Sequence, residues 1–540
     1  MVFAEFELSQ SYWESLEINQ EDIEFLYAYL LEKETPLTSS SLADALIKER
    51  IRSEKEQLQK KQQANGEIYL PKMIYPVGEK IQFPALNWIS GTVTDLREAN
   101  NPEQPQMQVM TVEFENGSKR QFAANLNEHI LNTNTVKLAG DDLNNEQEIV
   151  DQFSDVITYK LEEKLDENKD LIRIGAEWFA KSLLIDFNVG HLNLAEAVLD
   201  MHNGGPLPVS TLLEHIEIET DDTPELIAFS LNYALQEDPR FDEVGPSGEV
   251  QWFLNRLEPQ PVREIPVELA YTPIEYDRSV LDEDMIRSEQ LIDDELVPLS
   301  PDQRKDKAKE VAVVLNYPHW RIGSIPLTSN TRPIFPTALE TQRVKFKLID
   351  AKGQEISAWV VRPFSYVYGL REWYEEMELM PGSIIKIKPG KEQGEVLIQP
   401  EKKRSNREWI RTLLIGADGG IVFAMLKQTI TADFNERMAI AIPSTEVLDE
   451  LWQKQAHNPR PLKNVIVNIM RELAKLNPQG HVHSVELYAG LNCIRRCPPG
   501  LLFSTLASNP EFTAVGDLYY RLSEHSLRRS REAWIRNAEV

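Results

Sequence analysis

Apolar residues first recur at helical spacing over Ile23, Phe25, Leu26, Tyr29 and Leu30. They break at Glu34-Thr35-Pro36 and resume at Leu42, Leu46 and Ile47, behind a run of hydroxyls (Thr38 to Ser41) suited to capping a second helix. Helix, tight turn and capped helix over residues 1–65 fit a helix-turn-helix or a plain helical hairpin. The rhythm then changes to period two. Ile81 and Phe83, Thr92-Val93-Thr94 and Val109 to Phe114 read as strands, and Asn116-Gly117 between Phe114 and Arg120 is the sharpest hairpin signal in the chain. Residues 68–132 therefore predict a small antiparallel barrel, after which a helical pattern returns over 145–180.

Two stretches repeat. Pro239-Arg240-Phe241-Asp242-Glu243-Val244-Gly245 recurs as Pro510-Glu511-Phe512-Thr513-Ala514-Val515-Gly516, with Leu231 and Leu235 matching Leu502 and Leu506. Each copy is preceded by an apolar helix (Leu192 to Leu199, Val465 to Leu473) and a glycine turn, and each runs into an aromatic strand (Trp252-Phe253, Tyr519-Tyr520). Three helices followed by a Gly-turned β-hairpin predict a winged helix at 145–260 and another at 460–540, each offering an exposed third helix. Between them, Val344 to Asp350 alternates, Gly353 turns, Ile356 to Val361 returns, and Leu379-Met380-Pro381-Gly382 leads into Ile384 to Lys388. Residues 311–455 thus predict a β pseudobarrel with appended strands.

The 68–132 pattern resembles SH3-like barrels of the Tudor or KOW kind. The two repeats resemble HARE-type helix-turn-helix modules, found in the delta subunit of bacterial RNA polymerase and in some restriction systems. The strand–Gly–strand hairpin, the helix bearing Trp373 and the Leu-x-Pro-Gly turn resemble the DNA-binding pseudobarrel of plant B-three transcription factors and of a restriction-enzyme effector domain. The expected fold is accordingly α+β and multidomain: helix-turn-helix and winged-helix modules with an SH3-like small barrel and a β pseudobarrel. The pseudobarrel resemblance implies two loop arms in the major groove. By position these lie near Ser329, Asn330 and Arg332, with Arg321 just upstream, and near Arg362, Ser365 and Tyr366; Asn pairs with adenine, Arg with guanine, and hydroxyls hold phosphates. Exposed loop residues around a structural barrel are the alternative.

Charge complicates this picture. The chain carries a formal net charge of −29, and a uniformly acidic surface repels phosphate. The acid is unevenly placed: 11 acidic against two basic residues over 264–296, which predicts an acidic linker at 261–310, and 16 basic against 11 acidic over 317–412. Within the latter, Lys402, Lys403, Arg404 and Arg407 form a basic run ending at Trp409, read as a phosphate-contact patch or a solvated linker. The C-terminal Arg528-Arg529-Ser530-Arg531 invites the same reading. There is no basic–apolar leader and no apolar run long enough to span a bilayer, and the two cysteines exclude a disulfide framework, so the expected home is the cytoplasm.

Catalytic signatures are missing. No phosphate-binding loop, dinucleotide fingerprint, zinc-protease or nucleophile-elbow motif occurs, and Glu162-Glu163-Lys164 is only half of a nuclease motif. Cys493 and Cys497 with His481 and His483 suggest zinc, but at spacings unlike known fingers. The expectation is a protein that is not an enzyme, without cofactor, metal or small-molecule substrate, away from membranes, whose partner is double-stranded DNA, RNA polymerase or another protein. It reads as a DNA-binding or polymerase-associated transcription regulator. An assembly scaffold, or the recognition subunit of a restriction or defence system, is the alternative.

Overall fold

A computed structural model describes residues 10–64, 67–83, 86, 89–100, 106–115, 117–133, 146–298, 310–338, 341–391, 394–416 and 420–523. The fold is α+β with several separate sheets, divided into two compact units: 10–186 with 220–230, and 187–219 with 231–523.

The first unit opens with α1 (Gln10–Ser15) and α2 (Gln20–Lys33). Asn19 and Asp22 form a reciprocal capping box that starts α2, and the αL residue Glu34 ends it. A two-residue strand β1 (Leu37–Thr38) leads into α3 (Ser39–Ala64). A five-stranded sheet follows, in the order β2 (Glu67–Ile68), β3 (Lys80–Phe83), β4 (Ile89–Glu98), β5 (Gln108–Phe114) and β6 (Lys119–Ala124), antiparallel except for β2 on β3. Its core is Tyr75, Ile81, Phe83, Val93, Met110 and Val112, and the expected Gly117 turn joins β5 to β6. After the short α4 (Ile130–Thr133), α5 (Glu146–Asp166) packs back on α3, and β7 (Leu171–Ile174) and β8 (Glu177–Ala180) form a hairpin. β8 pairs with β1, giving the sheet order β1-β8-β7.

The second unit begins with α6 (Val189–Met201), β9 (Leu207–Pro208), α7 (Val209–Leu213), α8 (Pro224–Glu237, of which 224–230 fall in the first unit), β10 (Phe241–Glu243) and β11 (Gln251–Leu254). The sheet order is β10-β11-β9. A turn α9 (Gln260–Arg263) and the helix α10 (Glu283–Ile292), capped by Asp282, carry the chain through the acidic stretch. Then β12 (Val311–Val314), α11 (Tyr317–Ile322), β13 (Ser324–Pro326), β14 (Arg343–Asp350), β15 (Glu355–Val361), β16 (Tyr366–Tyr368), α12 (Arg371–Glu376), β17 (Ile384–Pro389) and β18 (Glu395–Pro400) build one seven-stranded sheet. Its order, β12-β17-β18-β14-β15-β16-β13, curls it into a nearly closed barrel around Leu348, Val360, Val367, Ile385 and Ile387. The Pro-Gly turn is required by geometry: Gly382 has φ +94°, and a Cβ there would sit 2.4 Å from the Ala439 Cα.

A long ribbon follows, β19 (Lys402–Ile415) antiparallel to β20 (Ile421–Ala432), then α13 (Thr445–His457). The chain closes its described part with α14 (Leu462–Ala474), β21 (Val482–His483), α15 (Ser484–Asn492), α16 (Pro499–Ser508), β22 (Phe512–Gly516) and β23 (Tyr519–Leu522), in the sheet order β21-β23-β22.

One arrangement therefore occurs three times: helix, short strand, helix, helix, hairpin, with the short strand on the hairpin's second arm. The registers correspond residue by residue: Leu37 opposite Trp178, Leu207 opposite Trp252, Val482 opposite Tyr520. All three aromatics are buried. Two repeats were expected. The additional one takes α2, β1 and α3 from the expected N-terminal 1–65 module and α5, β7 and β8 from the expected 145–260 module, with the five-stranded sheet inserted between its second and third helices.

Two further expectations are corrected. The acidic stretch 261–310 is no free linker over its described part. α10 packs on α16, and behind it Asp294 and Glu295 are buried on Arg496, which donates to both at 2.6 Å. The Tyr488 hydroxyl donates to Asp294, and His319 bridges Glu295 (2.9 Å) and Ser324 (2.8 Å). This ionic knot ties the acidic segment to the barrel and to the last module. Nor does each repeat expose its third helix. Pro499, Gly500, Leu501, Leu502, Phe503, Ser504 and Leu506 bury α16 on nearly every side, because its sequence is apolar all round.

Candidate nucleic-acid interface

The expected arm residues fall into two groups. Ser329, Asn330, Arg332 and Ser365 do converge, on a cleft of about 440 Å³. Ser365 reaches it through a left-handed turn (φ 55°) between β15 and β16. The opposite wall is Gln290, Leu291 and the acidic run Asp293-Asp294-Glu295, and Thr328 Oγ1 donates to Asp293 at 2.8 Å. Anionic side chains thus line the very cleft in which a phosphate would have to lie. The remaining arm residues are committed elsewhere. Arg321 grips Asp449 in a two-pronged pair with Nε 2.8 Å from Oδ1. Arg362 donates to the Ala338 carbonyl at 2.9 Å, and burial together with neighbouring Arg332 lowers its pKa. Tyr366 is buried, its hydroxyl donating to the Pro261 carbonyl, and desolvation pushes its pKa up.

The basic run fares differently. It is neither linker nor loop but the first half of β19, whose bulge at 402–406 opens the ribbon. β19 and β20 together hold six basic residues and one acid, Glu408, an excess of five positive charges on a strongly acidic chain. Lys403 is consumed by Glu408 (2.9 Å) and Asp433 (3.7 Å), and Arg411 by the Glu436 and Arg437 carbonyls and by Glu486. Lys402, Arg404, Arg407 and Lys427 are exposed and, among the described residues, have no acid within ion-pair distance. Register puts Arg407 opposite Thr429 and Trp409 opposite Lys427, so Arg407, Trp409 and Lys427 share one face, while Lys402 stands opposite Ala432 and Arg404 lies in the bulge. Trp409 is 60% exposed, unusual for so large an apolar side chain, and the Lys427 ammonium sits 5.3 Å from its ring centroid. Below, Ile410, Ile430, Ala439 and Ala441 anchor the ribbon's other face, while Leu413 and Phe423 enter the large core shared with α14 to α16.

Sequence reasoning missed Lys427, which stands 20 residues beyond Arg407. The signal was available in the β-branched alternation of 421–432, which pairs with 402–415 as a hairpin.

The third helices of the other two modules offer no basic face. The exposed side of α5 carries Glu148, Asp151, Asp155, Val156, Tyr159, Glu163 and Asp166, its exposed cation Lys164 is paired with Glu167 at 2.8 Å, and the exposed ends of α8 are Glu225, Gln236 and Glu237. The turn of the β10–β11 hairpin is also engaged, since Ser247 N donates to the Thr337 carbonyl at 2.6 Å.

The cysteine–histidine group is inert. Cys493 and Cys497 are buried free thiols, and burial pushes Cys497 up to about 12. His483 caps α15, accepting from Val485 N at 3.1 Å. Among the described residues no three His, Cys, Asp or Glu side chains converge to hold a metal, and no helix is long and apolar enough to cross a membrane. Arg528, Arg529 and Arg531 lie outside the described residues.

No protein-family model matches the chain, and no curated protein or solved structure is significantly similar to it.

Proposed function

We propose that this chain is a non-catalytic nucleic-acid-binding regulatory protein whose contact surface is the β19–β20 ribbon, with its three winged-helix modules serving as architecture. The observation that carries this reading is the set of four exposed, unpaired cations on a single ribbon, with Arg407 and Lys427 beside exposed Trp409, on an otherwise acidic molecule. Charge complementarity of that kind supplies most of the affinity in non-specific nucleic-acid binding. The winged helices are poor readers by comparison, because two present acid on their third helix and one has that helix sealed. Likewise, the pseudobarrel arm is faced by the acidic segment, which argues against a B-three mode of groove entry.

The test is fluorescence anisotropy of the full chain with a labelled oligonucleotide across 50–200 mM salt. Four phosphate contacts give a log–log slope near about −3 to −4. Replacing Lys402, Arg404, Arg407 and Lys427 by alanine together should remove the binding and the slope. No binding even at the lowest salt overturns the proposal and favours the second reading, a protein-assembly scaffold. That reading draws support from the acidic α5 stripe with Val156 and Tyr159 exposed at its centre, a surface suited to a basic protein partner.

A further inference from the structure

Resting on the ribbon reading above, we infer that the ribbon takes single-stranded nucleic acid, with an unstacked base lying on the Trp409 indole and the backbone tracked by Arg407 and Lys427 on the same face. A free two-stranded ribbon fits the major groove of duplex DNA, which is about 12 Å wide and about 8.5 Å deep. This ribbon is not free. Ile410, Thr412 and Ile430 are buried on one of its faces, and Leu413 and Phe423 are locked into the core at its far end. With Ile410, Thr412 and Ile430 anchored to the body, the ribbon cannot seat in a groove as a free two-stranded arm does, and its Trp409 face is the aromatic surface it offers.

What the open face presents is an aromatic ring interleaved with cations. Alternate residues on a strand stand about 7 Å apart, so Arg407 lies one step along the face from Trp409, while Lys427 lies directly across from it. Every base has a π-face, and stacking on an aromatic side chain beside a basic track is the usual physics of sequence-tolerant single-strand binding. In a duplex the bases are stacked on one another, and the indole has nothing to receive. The Lys427 ammonium over the ring also places a positive charge within reach of the phosphate of whichever nucleotide stacks there.

The experiment compares the full chain's binding to labelled oligo(dT) of 20 nucleotides and to a 20-base-pair duplex at 50 mM NaCl, for the wild type, Trp409→Ala, Trp409→Phe and the quadruple cation-to-alanine variant. The single strand should bind at least tenfold more tightly than the duplex. Trp409→Ala should weaken it by about ten- to hundredfold, and Trp409→Phe should largely restore it. Trp409 is solvent-exposed, so an unchanged thermal melt accompanies each variant. Duplex binding as tight as single-strand binding, or a Trp409→Ala variant that binds like the wild type, overturns the inference. If in that case the quadruple variant still loses all binding, the ribbon reading survives and only the stacking claim falls. If the quadruple variant binds normally, both fall.

Discussion

A histidine that caps a helix from inside a protein has to stay neutral, since its ring nitrogen must accept a hydrogen bond. His483 does this at the start of α15, and burial, reinforced by Arg437 and Arg411, pushes its pKa down to about 4. The folded chain therefore binds this proton more weakly than the unfolded chain, whose histidine titrates near 6.5. Its contribution is at full value above about pH 6.5 and declines as pH falls toward 4, by up to about 3 kcal/mol. His483→Asn keeps a capping acceptor that does not titrate. Urea denaturation at several pH values between 7 and 4 should show the wild type losing stability relative to this variant, and parallel profiles would contradict the assignment. Arg496 marks the other pole of the same interior, since its guanidinium is tolerable there only because two carboxylates and the Asn492 side-chain oxygen accept its hydrogen bonds.

At the scale of elements, the five-stranded sheet is an insertion within a module, and α3 and α5 meet each other without it. Replacing residues 66–145 by a flexible linker of about 20 residues should leave the α2–α3–α5 core and its β1-β8-β7 sheet folded, because closing a loop costs only about 0.6 kcal/mol per doubling of length. Circular dichroism and near-ultraviolet signals from Trp178, whose Nε1 donates to Ser39 Oγ at 2.9 Å, report the outcome. A molten or aggregated product would show that the sheet is integral. The insertion also explains what could be read from the chain and what could not. Phe-x-x-Val-Gly made the second and third modules visible. The first module writes Leu171-Ile172-Arg173-Ile174-Gly175 in that place and has its third helix displaced by some 80 residues, so local periodicity cannot join the halves. The traces are Pro36-Leu37-Thr38 against Pro206-Leu207-Pro208, and Trp178-Phe179 against Trp252-Phe253. The proposed interface was legible in one strand only: Lys402, Arg404 and Arg407 announce themselves as a cluster, whereas Lys427 is brought beside Arg407 and Trp409 by register. Tyr366 and Arg321 misled because residue type says nothing of the Pro261 carbonyl or of Asp449, more than 100 residues away in sequence.

At the scale of the molecule, a net charge of −29 and a basic ribbon coexist through segregation. Much of the acid of 277–295 is folded inward on arginine and histidine or arrayed on α10, while the ribbon's cations keep clear of it. At pH 7 and low salt the full chain should be retained both by an anion exchanger and by single-stranded DNA coupled to a matrix. The quadruple ribbon variant, four charges more acidic, should hold more tightly to the first and flow through the second. Retention of that variant on the DNA matrix would place the phosphate contacts elsewhere.

The split first module also has a bearing on synthesis. α2 and α3 emerge from the ribosome with Leu26, Leu30, Leu42, Leu46 and Ile47 prepared for burial, but α5, which packs on α3, follows roughly 80 residues later, and β8, which packs on α2, later still. At about 5–20 residues per second that is a wait of roughly 4–16 s. During it, a nascent chain with a naked greasy surface is a natural client for a ribosome-bound chaperone, and the intervening sheet can mature while its host module is still half made.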